Sequence, residues 1–246
     1  MLPHESAPLL EQMRLKGSPV KIDRPPLTPK QFAAAIAYGY HNSCDRDRSF
    51  LRKEMRDFVE KGFRIVLLLE DAVGLDGLRL SPAGLIPHRD RRDRIVIDYT
   101  WSGVNEATRR LAPDSMQFCH ALQRILQRMY DVDPRHGPIY MMKVDIADYF
   151  YRVGLAPEDV PSLGVCIPPG PDGKTLVAFP LFLPMGWVES PPHFCAVTET
   201  VADLANTALS EQTTRLRTSH RLDQVSESTV PVLESPVTGH LDINHN

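Results

Sequence analysis

Asp145 is the residue in this sequence best placed to hold a metal. It closes an apolar, β-branched run, IYMMKVD at 139–145, and an aromatic triplet, Tyr149, Phe150 and Tyr151, follows it. That pattern reads as a strand delivering one carboxylate to an edge. A strand-end acid is costly without a cation or a hydrogen-bond donor. The hard cation that suits carboxylate and carbonyl oxygens is Mg²⁺, and the alternative is an aspartate that caps the next turn. Upstream, Arg89, Arg91, Arg92 and Arg94 fall within six residues. Guanidinium forks match phosphate oxygens and stay charged, although such a run also suits a solvated hairpin tip. Downstream, Gly186 lies in LPMGWVESP at 183–191, where a missing side chain allows a close backbone approach.

Together these stretches resemble the palm and fingers of a reverse transcriptase of retrotransposon type. The family pattern has an acid and then an aromatic five residues on, here Asp145 and Phe150. It has a Leu-Pro-x-Gly-x-x-x-Ser-Pro loop, here 183–191. It also has a hairpin strand ending in an acid, here RIVID at 94–98, with Asn105 beyond. The likeness covers roughly residues 60–209. It implies an α+β fold, a partial right-hand polymerase with fingers and an incomplete palm, built as an antiparallel sheet with packed helices. The implied activity is template-directed DNA synthesis from deoxynucleoside triphosphates, with two Mg²⁺ clamping the reacting oxygens. The implied partners are an RNA or DNA template-primer and the deoxynucleotide.

By the same resemblance Asp145 is the catalytic acid and a metal ligand, helped by the Ile146 carbonyl. Arg92, Arg94, Asp148, Phe150, Met185 and Gly186 face the nucleotide. Arg94 stands four residues before Asp98, as the family's arginine does. Phe150 lies beneath the sugar and excludes a 2′-hydroxyl, and core packing accounts for the same ring. Met185 and Trp187 pack near the base pair. Asn105 is expected to bond backbone rather than substrate. The family's Tyr-x-Asp-Asp motif does not occur in the sequence. The expectation is therefore a truncated copy, weakly active or inactive as a nucleotidyltransferase. The alternatives are a non-enzymatic nucleic-acid-binding remnant working through the arginines of 89–94, and an unrelated α/β domain whose motif matches are chance.

Composition sets the frame. The chain has 246 residues, 42% hydrophobic and 24% charged, within the range of a globular domain. Its net charge is −3, so nucleic acid must be met by a local patch and not a global field. The four cysteines, Cys44, Cys119, Cys166 and Cys195, form no C-x-x-C pair and read as buried thiols of a reducing compartment. No signal peptide is evident at the start, and the apolar run at 65–69 is far too short to span a bilayer. A cytoplasmic or nuclear, non-membrane protein is expected.

The elements that must position these residues follow from periodicity. Residues 1–27 are Pro-rich and aperiodic, expected to be a flexible extended segment. Thr28 caps a helix that opens on Pro29 and runs over 31–40. A helix is expected over 45–62, burying Phe50, Leu51, Met55, Phe58 and Val59, with Gly62 ending it. A strand at 63–69, a hairpin of 83–88 with 94–98, and a second hairpin of 163–167 with 176–183 follow. Helices are expected from 113 to 130, burying Phe118, Leu122, Ile125, Leu126 and Met129, and from 193 to 209. Ser190 caps the second, Phe194, Val197, Val201, Leu204 and Leu209 line its buried side, and His193 lies at the surface. The polymerase-like body is placed at 28–209 and a disordered tail at 210–246.

Overall fold

A computed structural model describes residues 6–90, 92–112, 121–133, 135, 137–140 and 146–210. Its framework is a five-stranded sheet in the order β1-β5-β4-β2-β3: β1 Arg64–Leu68, β2 Leu80–Ile86, β3 Arg94–Ile97, β4 Gly164–Ile167 and β5 Leu176–Pro180. Helices pack on it, giving a mixed α/β fold. The expected all-antiparallel sheet is corrected at one place. β2 and β4 run parallel, with Leu80 opposite Gly164 and Pro82 opposite Cys166. These two strands are joined by a long crossover, and short apolar runs do not reveal their partner's direction.

Pro82 marks where β2 changes partner. Residues up to Pro82 pair with β4, and those from Ala83 pair with β3. Proline has no N–H for a ladder, so it is tolerated at this break. Its carbonyl accepts from the Asp98 N–H at 3.0 Å, which fixes the chain as it leaves β3. The 83–98 hairpin is as expected, with Ala83 opposite Ile97 and Ile86 opposite Arg94. The second hairpin also forms, β4 against β5, around a turn in which Gly173 has φ +76°.

The helices start and stop where local chemistry dictates. Helix α1 is Ala7–Lys16 and α2 is Pro29–Tyr38. Thr28 and Gln31 form a reciprocal capping box at the start of α2. Helix α3, Arg48–Glu60, is capped by the Asp47 carboxylate, which accepts from the Phe50 N–H at 2.8 Å. It ends in paired bonds, Phe63 N–H to Phe58 O and Gly62 N–H to Val59 O, with Gly62 at φ +70°. Leu51 and Met55 are its buried positions. The short helices α4 Leu69–Ala72 and α5 Val104–Ala107 punctuate loops, and α6 spans Ala121–Asp131.

Several expectations change. The N-terminal segment is not merely extended: α1 is helical, and Ser18 and Val20 are buried against the body. The strand expected at 139–145 is absent from its described part, 139–140. Residues 141–145 lie outside the described residues, and Tyr149–Arg152 forms a 3-10 turn. On α6, Leu126 is 56% exposed and Met129 is exposed too, whereas residues 113–120, Phe118 among them, and the side chains of Leu122 and Ile125 lie outside the described residues. Helix α7 begins earlier than expected, Ser190–Ser210. Its buried stripe is His193, Ala196 and Thr200, and Val201 is 60% exposed. The stripe is partly polar, so apolar spacing alone misplaces it. The tail at 211–246 lies outside the described residues.

Gly17 holds the N-terminal segment in place. Its φ is +89°, and a Cβ there would stand 2.5 Å from the Leu155 carbonyl group. Beside it the Ser18 N–H donates to Gly154 O at 2.7 Å. Gly17→Ala is expected to cost roughly 2–4 kcal/mol through strain and overlap. Urea unfolding of the variant checks this, and an unchanged midpoint would mean the segment is only loosely attached.

Candidate nucleotide- and nucleic-acid-facing site

The 183–191 loop is seated on the end of β3. Gly186 has φ +95°, and a Cβ there would lie 2.7 Å from Ile97 O and 3.7 Å from the Tyr99 ring. Only glycine allows that approach in that conformation. Asn105 locks it. Its Nδ2 donates to Gly186 O at 3.0 Å and to Thr100 Oγ1 at 3.2 Å, and its Oδ1 accepts from the Val188 N–H at 2.9 Å. The expectation that Asn105 bonds backbone holds. Ser190 does not cap α7; its hydroxyl donates to Pro184 O at 2.6 Å and closes the loop on itself.

The loop also meets the chain that follows Asp145. The Leu183 N–H donates to Val153 O at 3.0 Å, and Gly154 bridges Phe182. Phe150 is buried, 4.0 Å from the Tyr149 ring and 6.0 Å edge-on from Phe194 of α7. Core packing therefore accounts for much of this ring. Asp148 is exposed at φ +53°, the one non-glycine residue at positive φ among those described. Aspartate tolerates that conformation better than most residues. Ile146 and Met185 are exposed. Asp145 lies outside the described residues.

The hairpin tip is only partly free. Arg92 forms an ion pair with Glu54 of α3, and its guanidinium stands 5.7 Å from the centroid of Phe50. Arg94 and Arg89 are exposed, and Arg94 has no ion-pair partner among the described residues. Arg91 lies outside them. Asp93 Oδ1 accepts from the His88 N–H at 3.0 Å, which shapes the tip.

Behind the loop is a polar cluster that sequence reasoning missed. Glu189, His193 and Ser18 are all buried. Ser18 Oγ lies 2.6 Å from His193 Nδ1, and His193 Nε2 is 3.5 Å from Glu189 Oε2. Glu189 also accepts from Arg110 Nη1 at 3.0 Å and from the Leu111 N–H at 2.9 Å. Burial pushes the Glu189 carboxyl up. The nearby His193 ring, whose Nε2 at 3.5 Å falls short of a well-formed hydrogen bond, and the bonds from the Leu111 N–H and Arg110 outweigh that, so it sits below the ordinary glutamate value of 4.5. Serine, histidine and an acid are the ingredients of a hydrolase, but no substrate reaches groups this enclosed. The cluster is a clasp joining the N-terminal segment, the 183–191 loop and the 110–111 chain. The i, i+4 spacing of Glu189 and His193 was its one trace in the sequence. Trp187 completes the cluster. It is 1% exposed, donates to Thr108 Oγ1 at 3.1 Å and meets the His193 ring edge-on at 5.4 Å. Its expected contact with a base pair gives way to a place in the core.

Other chemistries are constrained. Burial pushes the thiols of Cys44, Cys166 and Cys195 to about 11, so they are protonated at neutral pH and poor nucleophiles. Among the described residues no three His, Cys, Asp or Glu side chains gather into a metal-holding group, and the expected ligand Asp145 is not among them. No helix among the described residues is long and apolar enough to cross a membrane. No protein-family model matches the chain, and no curated protein matches it.

Substitutions at two positions test this geometry. Glu189→Ala leaves the Leu111 N–H without its acceptor and is expected to cost roughly 1–3 kcal/mol, since Arg110 stays solvated. Because the folded value lies below the unfolded one, ionised Glu189 stabilises the fold above pH 4.5, and that share is lost as pH falls from there through the folded value. Wild type is expected to lose stability over that window more steeply than Glu189→Gln; matching pH profiles from chemical denaturation contradict this. Asn105→Ala is expected to leave the fold intact and release the loop, seen as faster amide exchange at Val188. Unchanged exchange there means other contacts hold the loop.

Proposed function

We propose that this chain is a reverse-transcriptase-like domain of a retroelement, comprising fingers and part of a palm, that binds template-primer and deoxynucleoside triphosphate. The observation that carries this reading is the seating of the Gly186 loop on the end of β3 under Asn105. Two stretches that resemble family motifs, far apart in sequence, are thereby in direct contact. The third approaches through the Leu183–Val153 hydrogen bond. A chance set of motif matches has no reason to converge in this way.

In this reading the backbone of the Gly186 loop and the exposed Met185 face the nucleotide, and Arg94 supplies an exposed guanidinium for its phosphates. Arg92 contributes only when it leaves Glu54. Asp145 with the Ile146 carbonyl would hold Mg²⁺, whose role in the family is to stabilise charge on the phosphoryl oxygens. The sequence carries no Tyr-x-Asp-Asp pair, so these 246 residues by themselves bind, and extend a primer weakly or not at all. The exposed Arg94 equally favours a second reading, a non-enzymatic nucleic-acid binder that meets the backbone through the hairpin tip.

A primed RNA template separates these outcomes. Binding is expected to fall with salt, and Arg94→Ala is expected to reduce the slope of log K against log salt by about 0.7–0.9. Strong Mg²⁺-dependent extension would refute the inactive assignment. Deoxynucleotide binding that is lost in Met185→Ala favours the polymerase-like reading over the remnant. Absence of any binding to template-primer removes both.

A further inference from the structure

We propose that Tyr38 and Trp101 form a stacking platform for an unpaired base of single-stranded nucleic acid, held in place by His41 and Asp98. The proposal rests on the reading above and adds to it a base-contacting surface outside the motif stretches.

The two rings stack with centroids 4.1 Å apart and planes inclined by 28°. Tyr38 is 44% exposed and Trp101 42%. Two large rings left this open, side by side, are unusual unless something fixes them or covers them. Here a chain of polar contacts fixes them. Asp98 Oδ1 accepts from the Trp101 N–H at 2.8 Å, and Asp98 Oδ2 lies 3.2 Å from His41 Nε2. His41 Nδ1 lies 2.9 Å from the Tyr38 hydroxyl. One proton arrangement satisfies the whole chain: the Tyr38 O–H donates to Nδ1, and the Nε2–H donates to Asp98. The chain is anchored to the interior strand β2 at two points, His41 N–H to Ala83 O at 2.9 Å and Asp98 N–H to Pro82 O at 3.0 Å. The rings are thus ordered before any ligand arrives, which removes an entropic cost of binding.

The surroundings identify the occupant. Arg24 lies against Gly103, two residues past Trp101, with Nη1 2.8 Å from where a Cβ would stand. Among the described residues it pairs with one carboxylate, Glu106 at 2.8 Å, and both side chains are solvent-exposed. An exposed pair of this kind is worth little and gives way readily to a phosphate. Aromatic faces beside a guanidinium are the elements of single-strand binding, where bases stack and the backbone is neutralised. A base inside a duplex has both faces covered and cannot use such a platform. Position points the same way. Thr100, next to Trp101, shares the Asn105 side chain with Gly186 O, so a base on the platform lies beside the proposed nucleotide-facing loop.

The chain reports on this site directly, because it has two tryptophans and Trp187 is buried. The full chain is titrated with a short oligothymidylate and with an abasic strand of equal length, following tryptophan fluorescence and, independently, anisotropy of labelled strands. Quenching is expected with the oligothymidylate and not with the abasic strand. Trp101→Ala is expected to weaken oligothymidylate binding roughly five- to hundredfold and leave the abasic strand unaffected. Tyr38→Phe, which keeps the ring, is expected to retain binding. His41→Ala, which releases both rings, is expected to weaken it by a smaller factor with an unchanged thermal melt. Equal affinity of Trp101→Ala and wild type for oligothymidylate overturns the platform, as does equal binding of the two strands. A shift in sedimentation on Trp101→Ala reassigns the rings to a self-association face and also overturns it. If Arg94→Ala weakens binding and Trp101→Ala does not, the platform alone fails; if the chain binds no strand at all, the function proposed above fails with it.

Discussion

A single close approach organises the part of this molecule that holds the candidate site. The backbone at Gly186 lies so near the Ile97 carbonyl that a methyl group would stand 2.7 Å from the oxygen. A close approach of two backbones survives only if both are held, and each is held differently. β3 is held by its ladder to β2, and the loop by two hydrogen bonds to Asn105, whose third bond goes to Thr100. Loops carry binding groups well when a rigid scaffold fixes them, and here the scaffold is the sheet edge itself.

The buried clasp of Glu189, His193 and Ser18 takes up the consequence of that docking. Pressing the 183–191 loop onto the sheet turns the start of α7 inward and buries a carboxylate and an imidazole. Both need partners, and the N-terminal segment and the chain at 110–111 supply them. These polar contacts therefore tie together three stretches distant in sequence. It accounts for why residues 6–27 pack against the body instead of trailing from it.

What the sequence made legible were features with a local cause. Thr28 and Gln31 cap α2 because a hydroxyl and an amide can reach each other's backbone N–H. The 83–98 hairpin was legible because two short apolar runs flank a charged tip, and the 164–180 hairpin because Pro and Gly crowd its turn. Asn105 was read as a backbone binder from its side-chain type, but its backbone partners, Gly186 and Val188, lie far along the chain and were not legible. The parts that escaped depend on distant partners. His193 looks like a surface residue until Ser18, 175 positions earlier, meets its ring. Trp187 reads as a ligand contact until Thr108 takes its N–H. Val201 and Leu126 carry the apolar character of core positions, yet each is exposed where the helix turns it outward. Of the candidate site, Asn105 was legible as a backbone binder, and Gly186 as a place of close backbone approach, although the backbone it meets here is that of Ile97; Tyr38, His41 and Trp101 were not legible, because nothing local distinguishes a stacked, hydrogen-bonded pair of rings from two separate ones.

The central claim is that the ends of the β2–β3 hairpin and the Gly186 loop act as one ligand-facing surface. Amide hydrogen exchange of the full chain, with and without a primed template plus deoxynucleoside triphosphate, tests it most directly. The account predicts protection appearing together at 94–105 and 183–190, with the remote β1 strand unchanged. Binding accompanied by protection of only one of those stretches, or of β1 alone, contradicts it.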